Sequence, residues 1–248
     1  MRQLVLAIVL LVLPLMSAQA EEVVADLSQS RVSITSNFDG SEILIFGAVK
    51  REDIIPEDSE LDIIVTVMGP RKMETILRKA RRFGIWINVE SERLGHAPSF
   101  YSVASTRPLE DIIIPMMDSL WQISADEQIL SERRGLPARE ALLRIRTENG
   151  LYRRSNEGVT LNSETLFNTS IALPANLVEG EYTTRILLVR DGMILDDYRT
   201  AIEVQKVGIE RWLYNLAYDN AILYGLLSLL LAGLSGWGAS EIFRLIRR

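Results

Sequence analysis

The chain has 248 residues, 48% of them apolar and 24% charged, with a net charge of −6 and no cysteine. Setting aside Arg2, Glu241 and the three tail arginines leaves −9 over residues 21–220, a charge that keeps a domain soluble and gains nothing from a polyanion, so nucleic acid is excluded as a partner. The missing cysteines exclude disulfide stapling, thiolate metal sites and thiol nucleophiles, and stability must come from a hydrophobic core.

In chain order, Arg2 precedes the apolar run 4–13 (LVLAIVLLVL), which leads to Ala18-Gln19-Ala20. A positive start, a short apolar stretch and a small-x-small exit predict a signal peptide over 1–20, leaving Glu21 as the mature N-terminus. Ten apolar residues are too few to cross about 30 Å of hydrocarbon.

Strand patterning follows. In 31–38 (RVSITSNF), Val32, Ile34 and Phe38 alternate with polar residues, the period of a half-exposed strand. Asp39-Gly40 supplies a turn, and 42–49 (EILIFGAV) is apolar on both faces, with Gly47 marking a bulge or a close backbone approach. Residues 61–68 (LDIIVTVM) repeat the buried pattern and stop at Gly69-Pro70; 83–89 (FGIWINV) and 99–105 (SFYSVAS) read as further strands.

The texture then changes. Residues 109–123 read as helix broken near Pro115, and Pro137-AREALLRIRTEN-Gly150 has proline just inside and glycine just past a helix. Its apolar face would be Ala138, Ala141, Leu142 and Ile145, with Glu140 and Arg144 placed to pair at i,i+4. Strands return at 182–190 and 193–204 around Asp191-Gly192, a pair that favours a type I′ hairpin. Tyr182, after Gly180-Glu181, sits where immunoglobulin-like sandwiches carry a tyrosine corner.

Residues 221–239 hold no charge and, at 1.5 Å per residue, span roughly 28 Å as a helix. Arg244, Arg247 and Arg248 beyond them mark the cytoplasmic flank, and Trp212, Tyr214, Tyr218 and Tyr224 crowd the opposite end at headgroup level. The expected architecture is mainly β: an immunoglobulin-like β-sandwich ectodomain with a helical insertion, plus one C-terminal transmembrane helix. The expected parts are a signal peptide (1–20), a periplasmic sandwich (21–206, insertion about 109–154), a juxtamembrane segment (207–220), a transmembrane helix (221–240) and a cytoplasmic tail (241–248). Two small domains in place of one sandwich remain open. The expected location is a bacterial inner membrane, single-pass, N-terminal domain outside.

Catalytic chemistry finds no constellation. His96, the only histidine, excludes a two-histidine metal site and lies in a stretch that reads as a solvated loop. No G-x-S-x-G elbow, Walker loop or dinucleotide fingerprint occurs. Glu52, Asp53, Glu57, Asp58, Glu60 and Asp62 cluster within eleven residues, but around Pro56 they read as a solvated loop, without calcium-loop spacing. A carboxylate hydrolase would also need sugar platforms, and only Trp86 and Trp121 lie clear of the membrane-proximal segment. Asn168-Thr169-Ser170 matches a sequon that carries no meaning in a bacterium.

Two features point to binding. Arg71, Lys72, Arg78, Lys79, Arg81 and Arg82 place six cations in twelve residues, offset only by Glu74. They read either as an edge strand guarded by charge or as a patch for an anionic solute, partner or lipid headgroup. As one continuous strand, Arg78 and Arg82 would share a face with Trp86. In the anchor, Ser228, Ala232, Gly236 and Ser240 form a small-residue stripe that lets helix backbones approach, for self-association or docking on another membrane protein.

The stretches FDGSEILIFGAV (38–49), ELDIIVTVMGP (60–70), GIWIN (84–88) and PSFYSVASTRPL (98–109) resemble those of an uncharacterised family of predicted transmembrane proteins found in alphaproteobacteria. The resemblance runs from signal peptide to anchor, and what it implies of function goes no further than an accessory of transport. The leading expectation is a non-enzymatic, cofactor-free periplasmic interaction module, an accessory subunit of a polytopic membrane protein or envelope complex. The alternative is an anion-binding or sensing ectodomain that uses the basic strand.

Overall fold

Period-two alternation becomes two sheets and a ribbon. The computed structural model describes residues 21–35, 38–51, 59–129 and 136–246; the expected signal peptide and most of the 52–62 acidic cluster fall outside them. Two compact units emerge, one of Asp39–Val204 with the preceding chain to Val32, the other of Ser33–Phe38 and Gln205–Arg248.

In the first unit, β1 (Glu22–Leu27), β3 (Gly40–Lys50), β10 (Leu166–Pro174) and β9 (Val159–Asn162) form a four-stranded sheet in the order β1-β3-β10-β9. The second sheet runs β2 (Arg31–Ile34), β12 (Met193–Lys206), β11 (Gly180–Arg190), β4 (Leu61–Met68), β7 (Tyr101–Ser105), β8 (Tyr152–Ser155). Among the described pairings within these sheets, all are antiparallel except β7–β8. In β10 the alternation is regular: Phe167, Thr169, Ile171 and Leu173 are buried between exposed neighbours. β4 is buried on both faces from Leu61 to Val67, as its apolar run predicts for a central strand.

Gly47 of β3 stands between Ala25 of β1 and Phe167 of β10. A Cβ there would lie 2.5 Å from the Val24 carbonyl oxygen and 2.7 Å from the Phe167 ring. The close approach expected from the sequence is thus the reason for glycine, since any side chain would collide with the Val24 oxygen and the Phe167 ring.

The Asp191-Gly192 turn closes β11 and β12 with φ of 48° and 79°, both left-handed as a type I′ turn demands. At the other end of β11, Tyr182 is fully buried and its hydroxyl donates to the Val178 carbonyl at 2.8 Å, pinning the strand to the loop before it.

Helices α1 (Leu109–Ile112) and α2 (Pro115–Trp121) are separated just before Pro115, which occupies the first turn of α2 where its missing N–H costs nothing. Helix α3 (Leu136–Glu148) ends before Gly150, left-handed at φ 67°. Ala138 and Leu142 are buried, but Ile145 is exposed, and Arg144 pairs forward with Glu148 at 3.9 Å instead of back to Glu140. The apolar stripe is therefore narrower than the sequence pattern implied.

In the second unit, α4 (Ile209–Asp219) and α5 (Ala221–Ile246) are separated at Asn220, whose φ of −141° leaves the helical range. Residues Ala221–Ser240 of α5 form the segment long and apolar enough to cross a membrane. The helix runs on to Ile246, so most of the expected tail is helical.

Candidate functional site

Beyond Gly69-Pro70 the β4–β7 pairing continues outward. Gly69 N–H donates to the Phe100 carbonyl and Ser99 N–H to the Pro70 carbonyl, at 2.8 and 2.9 Å. From there β5 (Arg71–Arg82) and β6 (Ile85–Pro98) form a separate two-stranded antiparallel ribbon. Its base is anchored: Leu94 and Ala97 are buried, Arg146 of α3 pairs with Glu74, and the Arg71 guanidinium holds the Gln128 carbonyl at 2.8 Å. Its outer part is not. Every residue from Arg81 to Ser91 is exposed, and from Leu77 to the turn the ribbon extends about 20 Å at 3.4 Å per residue.

Phe83 and Gly84 make the turn, both left-handed at φ 50° and 84°. A two-residue turn sets the register, so Arg82 faces Ile85, Arg81 faces Trp86 and Lys79 faces Asn88. The expectation that Arg78 and Arg82 share a face with Trp86 is corrected: it assumed an unbroken strand, and the turn reverses the parity. β5 also borders neither main sheet, so its charge guards no edge of them. His96, expected in a loop, lies within β6 opposite Met73 and is exposed.

The six cations thus separate by position. Arg71 is engaged at the base, Lys72 is exposed beside it, and Arg78 pairs with Glu90 at 2.8 Å across the strands. Lys79, Arg81 and Arg82 at the far end make no ion pair among the described residues; Arg81 Nε donates weakly to the Gly84 carbonyl at 3.4 Å. Around them Phe83, Ile85, Trp86 and Ile87 are all exposed, Trp86 by 69%. The sequence reads FGIWINV as one further strand; in the structure its first two residues, Phe83 and Gly84, are the turn and the strand begins at Ile85.

Elsewhere, Asp62 and Glu60 are held by arginine. An open cleft of about 640 Å³ is lined by Glu60, Asp62, Arg107 and Glu164 among others. Arg107 holds Asp62 through Nε at 3.0 Å and Nη2 at 2.5 Å, Thr106 donates to the same carboxylate, and Glu60 pairs with Arg107 from the rim. The Asp62 hydrogen bonds push the Arg107 guanidinium still further toward its charged form.

A second cavity, about 380 Å³, is lined by Arg71, Tyr101, Trp121, Gln128, Arg185 and Arg199, with Thr66 and Thr183. Burial works against the Asp197 carboxylate beside it, yet hydrogen bonds from Arg199 and Arg185 hold it below the usual range. Asp62 in the first cleft and Asp197 beside the second are thus each held by guanidinium, an arrangement that fixes strands. Among the described residues no group of three potential ligands could hold a metal ion.

In the second unit the anchor stripe is exposed along α5: Ser228, Ala232, Gly236 and Ser240 all face outward. A Cβ on Gly233, Gly236 or Gly238 would meet nothing within 4 Å. Ser228 donates to its own helix at the Tyr224 carbonyl, 2.9 Å away, so that hydroxyl is satisfied without a partner helix. On α4, Trp212, Tyr214 and Tyr218 are exposed, the two tyrosine rings 4.5 Å apart.

Residues 22–245 match the family described as "Putative transmembrane protein (Alph_Pro_TM)", and the chain belongs to this family. No curated protein matches it. Among solved structures it is similar to the sporulation control protein Spo0M of Bacillus subtilis, at 13% identity and a TM-score of 0.30, over 82% of this chain and 56% of that one.

Proposed function

We propose that this family member is a non-enzymatic interaction module: an immunoglobulin-like sandwich in the periplasm, held by one inner-membrane helix with its C-terminus in the cytoplasm, and serving as accessory subunit to a polytopic membrane protein or envelope complex. The observation that carries this reading is the anchor itself. A single apolar helix needs no small-residue stripe merely to tether a domain, and α5 presents Ser228, Ala232, Gly236 and Ser240 along one side with nothing packed on them. The guanidinium pairing of Asp62 in one cleft and of Asp197 beside the other favours a binding role over catalysis. The Tyr182–Val178 hydrogen bond favours the immunoglobulin-like assignment, since a hydroxyl reaching back a few residues is the hallmark of a tyrosine corner.

Purification of the full-length protein from native membranes in mild detergent, beside an A232L/G236L variant, tests the docking face. Leucine keeps the helix apolar but fills the stripe. A polytopic protein recovered with wild type and lost from the variant is the expected result. Equal recovery with both, or no companion with either, contradicts it. The second reading, an anion-binding ectodomain, draws on the uncompensated cations at the end of the β5–β6 ribbon.

A further inference from the structure

We propose that the tip of the β5–β6 ribbon is a second membrane-contact element, with Phe83, Ile85 and Trp86 entering the interfacial layer of an anionic bilayer while Lys79, Arg81 and Arg82 engage lipid phosphates. This names the anion of the second reading, and rests on the chain being membrane-anchored but not on which protein α5 meets.

The electrostatics select the occupant. Residues 78–89 carry four cations and no carboxylate, within an exported region of net −9. Arg78 is compensated by Glu90, which leaves three cations concentrated in the last turns of strand before the tip. An anionic surface repels the rest of the domain and attracts this end, which fixes how the ribbon would approach.

The distribution of apolar groups favours lipid over a protein groove. Cross-strand neighbours share a face, so Trp86 lies beside Arg81 on one face and Ile85 beside Arg82 on the other. A groove would cover one face and leave the second wet. Both faces of this ribbon pair an apolar group with a guanidinium, and the fully exposed Phe83 caps them. Such symmetry suits a medium that surrounds the tip, apolar below and phosphate-rich above. Tryptophan and arginine are both at home at that boundary.

The backbone sets the depth. The outer edges of a two-stranded ribbon leave alternate N–H and C=O groups unpaired, which hydrocarbon does not tolerate and the headgroup layer does. Insertion therefore stops within about 5–10 Å, enough for the turn and one or two cross-strand pairs. Tethering by α5 keeps lipid at high local concentration, so weak contacts suffice.

The chain has no cysteine, so a single I85C label reports the tip without background. Full-length I85C carrying a nitroxide, itself apolar, is reconstituted into vesicles of phosphatidylcholine alone or with 30% phosphatidylglycerol, and its accessibility to oxygen and to a water-soluble nickel chelate is measured. T160C, at an exposed position on β9, serves as the aqueous reference. The expected result is a label shielded from nickel and open to oxygen in anionic vesicles, with T160C unchanged. Adding K79Q, R81Q and R82Q returns the I85C label to water, since each cation contributes about fivefold to partitioning and three together about a hundredfold. These side chains make no ion pair among the described residues, and unchanged circular dichroism confirms the fold. A label as wet as T160C in anionic vesicles overturns the proposal. So does shielding that is equal in both lipids and rises with protein density, which would make the tip a contact between copies. Neither outcome touches co-purification through α5.

Discussion

Between pH 10 and 12 the protein is expected to lose stability progressively and to unfold in one cooperative transition. Three buried tyrosines cause this. The hydroxyls of Tyr101, Tyr152 and Tyr182 donate to the carbonyls of Ile123, Pro98 and Val178 at 2.6, 2.7 and 2.8 Å. Burial pushes the Tyr101 phenol up to about 12, against a lowering hydrogen bond from Gln128. Burial raises Tyr152 and Tyr182 as well. In the folded state all three stay protonated where the unfolded chain titrates near 10. Above that pH the unfolded state binds fewer protons, so stability is whole below pH 10 and falls as pH rises toward the folded values. A group contributes at most about 1.4 kcal/mol per pH unit, and only where the unfolded tyrosine is ionised and the folded one is not, so the loss grows from pH 10 upward against a typical total of about 5–15 kcal/mol. Absorbance at 295 nm and circular dichroism should show three of the seven tyrosines ionising only as the sheet signal is lost. Seven tyrosines ionising with the sheet intact would contradict this.

Replacing Gly47 with alanine is expected to cost about 3 kcal/mol or more, a fall of roughly 6–12 °C in Tm for a domain of this size. The added methyl meets a backbone oxygen on one side and the Phe167 ring on the other. Phe167 is 2% exposed and has no room to retreat. The paired variant G47A/F167L should recover part of the loss, because it removes the ring clash and leaves the Val24 oxygen. A Tm for G47A within 2 °C of wild type would refute the close packing of β3 on β10.

The fully apolar 61–68 run and the Asp191-Gly192 hairpin are legible in the residues, and the strand expected over 31–38 forms as far as Ile34, with Val32 buried. β10 escaped although Phe167, Thr169, Ile171 and Leu173 alternate cleanly; its buried Thr169 breaks the apolar run, and the hydroxyl is satisfied by the Gly158 carbonyl. β1 was missed because only Val23 of its six residues is buried. At the candidate site the cations were legible as a cluster, but their division into anchored base and exposed tip depended on where the chain turns. Phe83-Gly84 lacks the Asn-Gly or Asp-Gly signature of a two-residue hairpin, so residues 71–98 did not read as one ribbon. Nor could sequence show that Trp86 and Ile85 are exposed, since apolar residues in a strand are ordinarily core.

The proposed arrangement places the exported domain outside, α5 across the membrane and the C-terminus inside. Cysteine accessibility measures it directly, in intact cells with a permeabilised outer membrane and a membrane-impermeant maleimide. T160C should label from outside, and a cysteine appended after Arg248 should label only after lysis. A tail that labels in intact cells while T160C stays protected would reverse the topology and contradict the account.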